Sequence, residues 1–350
     1  MNDLTHTSSV GSGRLIVVGA SAGGVTALRA LVSRLPSNLP APVLVVLHVG
    51  AHPSLLPALL ASAGPMPAVH AEEGQPLLPG RIYVAPPDQH LLVAEAALHL
   101  SRGPKEHHSR PAVDPLFRSA ALAHGARVIG VVLTGHLDDG TGGLQAIKAC
   151  GGVAIVQDPA DAQEPSMPLS ALRHVDVDHC LPIEQIAEAL TRLANERVPA
   201  AGKSLAPAAL SHEHALSVAT PSGEVMEHLK GFAEPSTLVC PDCGGSLWEV
   251  KDSRPPRFRC HTGHAFTMRT LAHTMNESTE EALQTAMRAV QEQAILLRKA
   301  ALSSRAAGAG QEALALEAGA EQADSHARTL REMVEKPVIQ PLEQDLAKDN

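Results

Sequence analysis

The sequence predicts an α/β fold: a doubly wound, mostly parallel sheet with one local antiparallel hairpin, then a small Cys/His module and a C-terminal helical hairpin. Three observations carry this expectation. Residues 14–195 alternate short β-branched runs with helical stretches, the pattern of a parallel sheet covered on both faces. Residues 238–266 gather three of the five cysteines with two histidines. Beyond residue 280, apolar residues recur every four and three positions, as in a helix packed on another helix.

The elements follow in order. LIVVGA (15–20) reads as a strand and VTALRALVSRL (25–35) as an amphipathic helix. VLVVLHV (43–49) is a second strand, and HPSLLPALLASAG (52–64) has a helical pattern. IYVAPPDQHLLVAEAALHL (82–100) suggests two strands around a Pro-Pro-Asp turn, hence the hairpin. A helix (114–125), a strand (127–135), a helix (141–151), a strand (153–158) and a closing helix (181–196) complete a domain spanning 13–196. Residues 197–225, rich in Ala, Pro and Ser without firm periodicity, are expected to be a linker. The Cys/His module is placed at 226–270 and the helical hairpin at 271–336. The hairpin's seam is Leu283, Met287, Val290, Ala294, Leu297 and Ala301, its break AAGAG (306–310), and its second helix about 311–335.

Composition excludes several classes. Aromatics are only 2% of the 350 residues, so stacking platforms for single-stranded nucleic acid are not expected. The formal charge of −9 argues against nucleic acid or an anionic membrane as partner of the whole chain. No run of about 18 apolar residues suggests a membrane span. The polar start, MNDLTHTSSVGSG, lacks the order of a signal peptide. With its cysteines clustered rather than paired, a cytoplasmic protein is expected.

RLIVVGASAGG (14–24) runs a strand into a glycine-rich turn containing Ser21. A dinucleotide fingerprint needs glycine where Ser21 stands, and a P-loop needs a terminal Gly-Lys-Ser/Thr that is absent. Gly19, Ser21 and Gly23 do match G-x-S-x-G, in which a serine on a sharp strand-to-helix turn projects its hydroxyl above the sheet. A plain structural turn is the competing reading. A nucleophile needs a base and an orienting group. His48 ends the second strand, and Asp138 and Asp139 follow the strand ending LTG (133–135), so all fall at the C-terminal edge where parallel sheets bind ligands. The chain order Ser…His…Asp differs from the Ser…Asp…His of α/β-hydrolases.

GASAGG (19–24), the strand-end His48, IYVAPPDQHLLV (82–93), RPAVDPLFRSAA (110–121), VVLTGHLDDGTGGLQAIKACGG (131–152) and MPLSAL (167–172) together resemble the catalytic domain of the CheB chemotaxis protein-glutamate methylesterases over residues 13–195. The resemblance implies a Rossmann-like sheet with Ser21 as nucleophile, His48 as base and Asp139 as its orienting carboxylate. It places the oxyanion and substrate pocket about Ala22, His136 and Met167. It implies hydrolysis of glutamyl methyl esters on methyl-accepting chemotaxis receptors, and deamidation of receptor glutamines, with no cofactor for catalysis. Two departures stand out. The family is usually headed by a phosphorylatable receiver domain of the phosphorelay; here about 13 residues precede the first strand, so control by phosphorylation within the chain is not expected. The family's Met-Gly after LTG is His136-Leu137 here. An alternative follows from that change: a catalytically impaired regulatory or binding module that recruits a partner through its C-terminal region.

Cys240-x₂-Cys243 followed by Gly-Gly, then Cys260-x₃-His264 after sixteen intervening residues, is a zinc-ribbon-like spacing. Three thiolates and one imidazole fill a tetrahedral zinc site and leave no position for a catalytic water. A metal-free module and a redox dithiol are the alternatives, and His261 is the less natural ligand. The zinc is therefore expected to be structural and not needed for ester hydrolysis. The module's five Lys/Arg against three Asp/Glu over 238–270 give little reason to expect nucleic-acid binding. Cys150 and Cys180 are expected to be buried, inert thiols.

Overall fold

The computed structural model describes residues 13–49, 52–95, 97–198, 207–218 and 222–336. Two compact units meet in sequence between Leu271 and Ala272. The elements of the first unit are β1 (Leu15–Ala20), α1 (Gly24–Val32), β2 (Val43–Leu47), α2 (Leu56–Ala63), β3 (Ala68–His70), β4 (Ile82–Val84), β5 (His90–Val93), β6 (Leu98–Ser101), α3 (Val113–His124), β7 (Val128–Val132), α4 (Thr141–Ala149), β8 (Val153–Gln157), α5 (Ser166–His174), β9 (His179–Leu181) and α6 (Ile183–Asn195). After these come α7 (Ala208–Ser217), α8 (Ser222–Phe232), β10 (Ala233–Val239), β11 (Ser246–Val250), β12 (Arg257–Cys260) and β13 (Ala265–Thr267).

Seven strands form one sheet in the order β3-β4-β2-β1-β7-β8-β9. Every pairing in it is parallel. Successive side chains of a strand leave on opposite faces, which builds two cores. Ile16, Val18, Val43, Val45, Ile129 and Val131 pack under α1, α2 and α6. Leu15, Val17, Leu44, Val46, Val128 and Val132 pack under α3, α4 and α5. The expected doubly wound α/β fold is therefore the observed one. The chain leaves the middle of the sheet in one direction after β1 and returns to the other side of β1 at β7, so the crevice for a ligand lies outside the C-terminal ends of β1 and β7.

The hairpin is displaced from its expected position. β4 joins the main sheet, and β5 pairs antiparallel with β6 in a separate two-stranded sheet. The turn is closed by the Ala94 N–H on the Ala97 carbonyl at 2.9 Å, not by Pro86-Pro87-Asp88. The reason is burial. Tyr83, at the centre of β4, is fully covered between strands β2 and β3, a parallel position that a tight hairpin partner cannot supply.

The stretch expected to be a linker carries α7 and the start of α8; its residues 199–206 and 219–221 lie outside the described residues. Leu210 and Glu213 of α7 are buried. The Cys/His module, β10-β11-β12-β13, is an antiparallel sheet packed directly on the α/β domain in the same unit. The Ala265 carbonyl accepts the His107 N–H at 2.7 Å. A buried charge cluster joins the parts. Arg118 Nη2 of α3 donates to both Glu106 oxygens at 2.6 and 2.7 Å. Arg259 of β12 reaches Glu106 at 3.0 Å and Glu213 at 3.2 Å, and Arg257 reaches Glu213 at 2.7 Å. Burial pushes the Glu106 carboxyl up, but Arg118 and Arg259 outweigh it and hold Glu106 well below the usual range. Cys150 is buried, whereas Cys180 is exposed: it sits on β9, an edge strand whose faces are half covered.

The second unit consists of most of α9 (Met268–Ala306) and α10 (Gly310–Glu335). Ala294 and Ala301 are buried, as are Ala313, Ala320, Ala323 and Ala327 of α10. These small residues let the two helices approach closely along the expected seam.

Breaking the charge cluster from the module's side should be costly, because a buried ion left without its partner loses its compensation. Arg259→Met is expected to lower stability by about 3–5 kcal/mol, read as a fall in the urea midpoint. A midpoint unchanged from wild type would show that the cluster does not hold the module in place.

Candidate active site

The strand–turn–helix at Ser21 is set by neighbours rather than by the turn alone. The Ser21 N–H donates to the Thr134 carbonyl at 3.0 Å, tying the end of β1 to the end of β7. A Cβ on Gly19 would lie 2.3 Å from Val113 Cγ1, so that glycine exists to admit α3. A Cβ on Gly135 would lie 2.8 Å from Ser21 Cβ and 2.1 Å from Met167 Sδ. Bare backbone at residue 135 therefore separates Ser21 from the buried Met167.

Ser21, His48 and Asp139 come together in file. His48 Nδ1 lies 3.2 Å from Ser21 Oγ, and His48 Nε2 lies 2.8 Å from Asp139 Oδ2. An ionised carboxylate only accepts, so Nε2 carries the hydrogen and Nδ1 turns its lone pair to the serine hydroxyl. His48 keeps 19% of its side chain exposed and Asp139 2%, so the chain of groups runs from the surface inward. Asp138 does not face His48. Its Oδ1 accepts the hydroxyls of Thr267 and Thr270, both at 2.8 Å.

The Asp139 carboxylate is among the most heavily bonded groups described. Oδ2 accepts the Val113 N–H at 2.7 Å, and Oδ1 accepts the N–H groups of Asp114 at 3.0 Å and Gly140 at 2.8 Å. His107 Nε2 stands 3.6 Å from Oδ1 and 3.0 Å from Asp114 Oδ2. Burial pushes Asp139 up, but His107, the bond to His48 and the Val113 N–H hold it below the ordinary carboxylate range. For His107 the balance is the reverse. Burial alone pushes its pKa down, and the surrounding Asp139, Asp114 and Asp138 raise it to about 10.

The expected pocket residues are placed as follows. Ala22 is half-buried beside Ser21, and its carbonyl accepts the Thr134 hydroxyl at 2.9 Å. His136 is exposed, with Nδ1 3.6 Å from Glu164. Met167 is buried, and its N–H donates to the Gly135 carbonyl at 2.9 Å. Leu137 has φ 62°, the left-handed conformation in which glycine is at ease.

Among the described residues two groups bring three or more metal-ligating atoms within 4.8 Å of one another. One is Cys240, Cys243, Cys260 and His264. The other, His107, Asp114 and Asp139, does not suit a cation. Its carboxylate oxygens already accept N–H donors, and a charged imidazole stands among them. His107, Thr267 and Thr270 carry no signal of their place here in the sequence alone. His107 lies in a run of two histidines that reads as surface, and the threonines lie outside every motif. Asp114 sits inside RPAVDPLFRSAA, where its place at a helix start was the available signal.

A hydroxyl, an imidazole and a buried carboxylate in file at the C-terminal edge of a parallel sheet define the class of α/β ester and amide hydrolases. The family model "CheB methylesterase" matches residues 16–190, and the chain belongs to that family. A Leptospira interrogans relative is 39% identical over 180 residues, a match covering 51% of this chain and 93% of that protein. Protein-glutamate methylesterase/protein-glutamine glutaminase 2 of Anaeromyxobacter dehalogenans is also 39% identical over 180 residues; the match covers 51% of this chain and 53% of that protein. Among solved structures, the CheB methylesterase catalytic domain of Thermotoga maritima matches with a TM-score of 0.50 and 35% identity, over 52% of this chain and 98% of that one. Among the described residues no helix is long and apolar enough to cross a membrane.

The raised pKa of His107 has a pH signature. A group charged more readily in the folded state contributes stability that is fully present below its unfolded pKa, about 6.5, and is lost as pH rises through about 10. Urea midpoints measured from pH 6 to 10.5 should therefore show a wild-type advantage over His107→Gln that shrinks toward pH 10. Parallel curves would contradict the charged assignment.

Proposed function

We propose that this protein is a serine esterase that removes methyl groups from glutamyl methyl esters of methyl-accepting chemotaxis receptors, and that it also deamidates receptor glutamines. The observation that carries the reading is the Ser21–His48–Asp139 file, with contacts of 3.2 and 2.8 Å, at the sheet's switch point. Family membership supports the ester chemistry, and the named relatives support the substrate.

In this mechanism Ser21 Oγ attacks the side-chain carbonyl carbon while His48 Nδ1 takes its proton. The oxyanion forms beside α1, where the backbone N–H of Ala22, the residue after the nucleophile, and that of His136 are the donors at hand. His48 then gives its proton to the departing methoxide, releasing methanol and leaving an acyl-serine. Water, deprotonated by His48, attacks that ester; the carboxylate leaves and Ser21 regains its proton. For a glutamine the leaving group is ammonia. Asp139 holds the imidazole in the Nε2–H form throughout and stabilises the imidazolium.

We also propose that Cys240, Cys243, Cys260 and His264 hold one zinc ion. Cys243 and Cys260 sulfurs are 3.6 Å apart, and His264 Nδ1 is 3.4 Å from Cys260 Sγ and 3.7 Å from Cys240 Sγ. Those spacings fit the edges of a tetrahedron with zinc–sulfur bonds of about 2.3 Å. The ion would supply folding energy to a sheet with a small core of its own.

Methanol release from methylated receptor tests the triad. Ser21→Ala should lose about four to six orders of magnitude in kcat. Asp139→Asn should lose about three to four orders, and Asp138→Asn far less, since Asp138 faces the threonines. Full activity in folded Ser21→Ala would end the reading, and the reverse ranking of the aspartates would reassign the orienting group. Elemental analysis of the purified chain should give about one zinc per chain for the one four-ligand set, and Cys260→Ser should give none. Metal-free wild-type protein with an intact module would refute the zinc site.

A further inference from the structure

The zinc-ribbon-like spacing predicts a Cys/His module that stands apart from ester hydrolysis. Its last strand and the first turn of α9 instead meet the loop that carries Asp139. Thr267 and Thr270 both donate to Asp138, the neighbour of Asp139. Thr270 Oγ1 also lies 3.4 Å from His107 Nδ1. The other ring nitrogen of His107 faces Asp114 and Asp139. His107 is itself clamped to the module, because its backbone N–H donates to Ala265. A continuous path therefore runs from Thr270 through the His107 ring to the carboxylate that orients His48.

We propose that His107 is a positioning residue for ester hydrolysis, and that docking of the Cys/His module, through Thr270, sets the His107 ring against Asp139. The inference rests on the proposed triad.

The physical argument concerns three buried carboxylates. Asp114, Asp138 and Asp139 are 2–3% exposed and lie around one imidazole. Like charges in a site of low dielectric repel strongly unless a cation stands among them. The groups facing His107 are those three carboxylates and the Thr270 hydroxyl; the Arg118 charge acts on Asp114 as well, but His107 is the cation that pairs with Asp114 and Asp139 together. Both ring nitrogens are then donors, Nε2–H to Asp114 and Nδ1–H to Thr270, whose own hydrogen goes to Asp138, while Asp139 Oδ1 is an ion-pair partner at 3.6 Å. With His107 gone, Asp139 would turn away from Asp114 or take up a proton. Either change moves Oδ2 from His48, and small misplacements of a catalytic group are expensive in rate.

The test uses the full chain and a glutamyl γ-methyl ester peptide, with methanol release as the readout. His107→Leu removes the donor at constant bulk, and His107→Gln restores an N–H donor near the position of Nε2. Thr270→Val removes only a hydroxyl, so it remains informative if His107→Leu does not fold. The expected result is that kcat falls about tenfold to a hundredfold in His107→Leu, with KM unchanged and part of the loss recovered in His107→Gln, which restores a donor without the charge. Thr270→Val should lower kcat severalfold in the wild type and by a clearly smaller factor on a His107→Leu background, where only its bond to Asp138 is left to lose. The proposal is overturned if Thr270→Val leaves kcat unchanged, if Gln rescues no better than Leu, or if the effects appear in KM alone. Ser21→Ala is the control for the underlying reading. If Ser21→Ala is as active as wild type, the triad itself fails; if Ser21→Ala is inactive and the His107 and Thr270 variants are normal, only this inference fails.

Discussion

The site depends on an exchange of carboxylates between two helix starts. Asp114, in the first turn of α3, accepts the N–H groups of Gly140 and Gly143 at the start of α4, at 3.0 and 2.6 Å. Asp139, just before α4, accepts the N–H groups of Val113 and Asp114 at the start of α3. Each acid thus satisfies orphan donors of the other's helix and sits at its positive end. Neither helix can move without uncapping both. The lack of a side chain at Gly19 is what lets Val113 come close enough to the sheet for the exchange to form. Within that lock Asp139 presents Oδ2 to His48, with His107 standing 3.6 Å from Oδ1.

The same economy of buried charge governs how the module is attached. An apolar contact would have been enough for adhesion, yet Glu106, Glu213, Arg118 and Arg259 are all nearly or wholly buried. Such a cluster adds little net stability compared with apolar packing, but it punishes any other register. Arg259 must meet Glu106 and Glu213 together, which fixes β12, and so β13 and the threonines beyond it, against α3. Specific placement matters here because hydroxyl groups a few residues further on touch the Asp138 loop.

Much of this was legible in the sequence where periodicity or a spaced motif spoke. The β-branched runs located the parallel strands, and G-x-S-x-G with a strand-end histidine located Ser21 and His48. Four ligands at ribbon spacing located Cys240, Cys243, Cys260 and His264. What was not legible came from contacts between distant segments. Residues 208–217 look like linker because their composition is Ala-rich and their polar anchors, Glu213 and Ser217, have partners more than 40 residues away in sequence. The Pro-Pro-Asp turn drew the hairpin to the wrong place because local turn chemistry does not reveal that Tyr83 is claimed by two parallel neighbours. Cys180 read as buried because its apolar flanks do not say that its strand is an edge. His107 was invisible because nothing local distinguishes a buried imidazolium from a surface histidine.

The departure at His136-Leu137 and the added module meet at one loop. A residue with a side chain in the left-handed region costs about 1–2 kcal/mol, and Leu137 bears that cost at φ 62°. The helix-start exchange holds Asp139 on one side of the strained residue's loop, and the module holds Asp138. Two hydroxyls donate to Asp138 directly after the strained residue, and hydrogen bonds to a charged group contribute about 1.5–3 kcal/mol each. Their sum exceeds the strain. The backbone conformation that glycine would adopt freely is therefore supported here by contacts from outside the α/β domain as well as from within it. In this chain the geometry of the Asp139 loop is a property of the sheet and the module together.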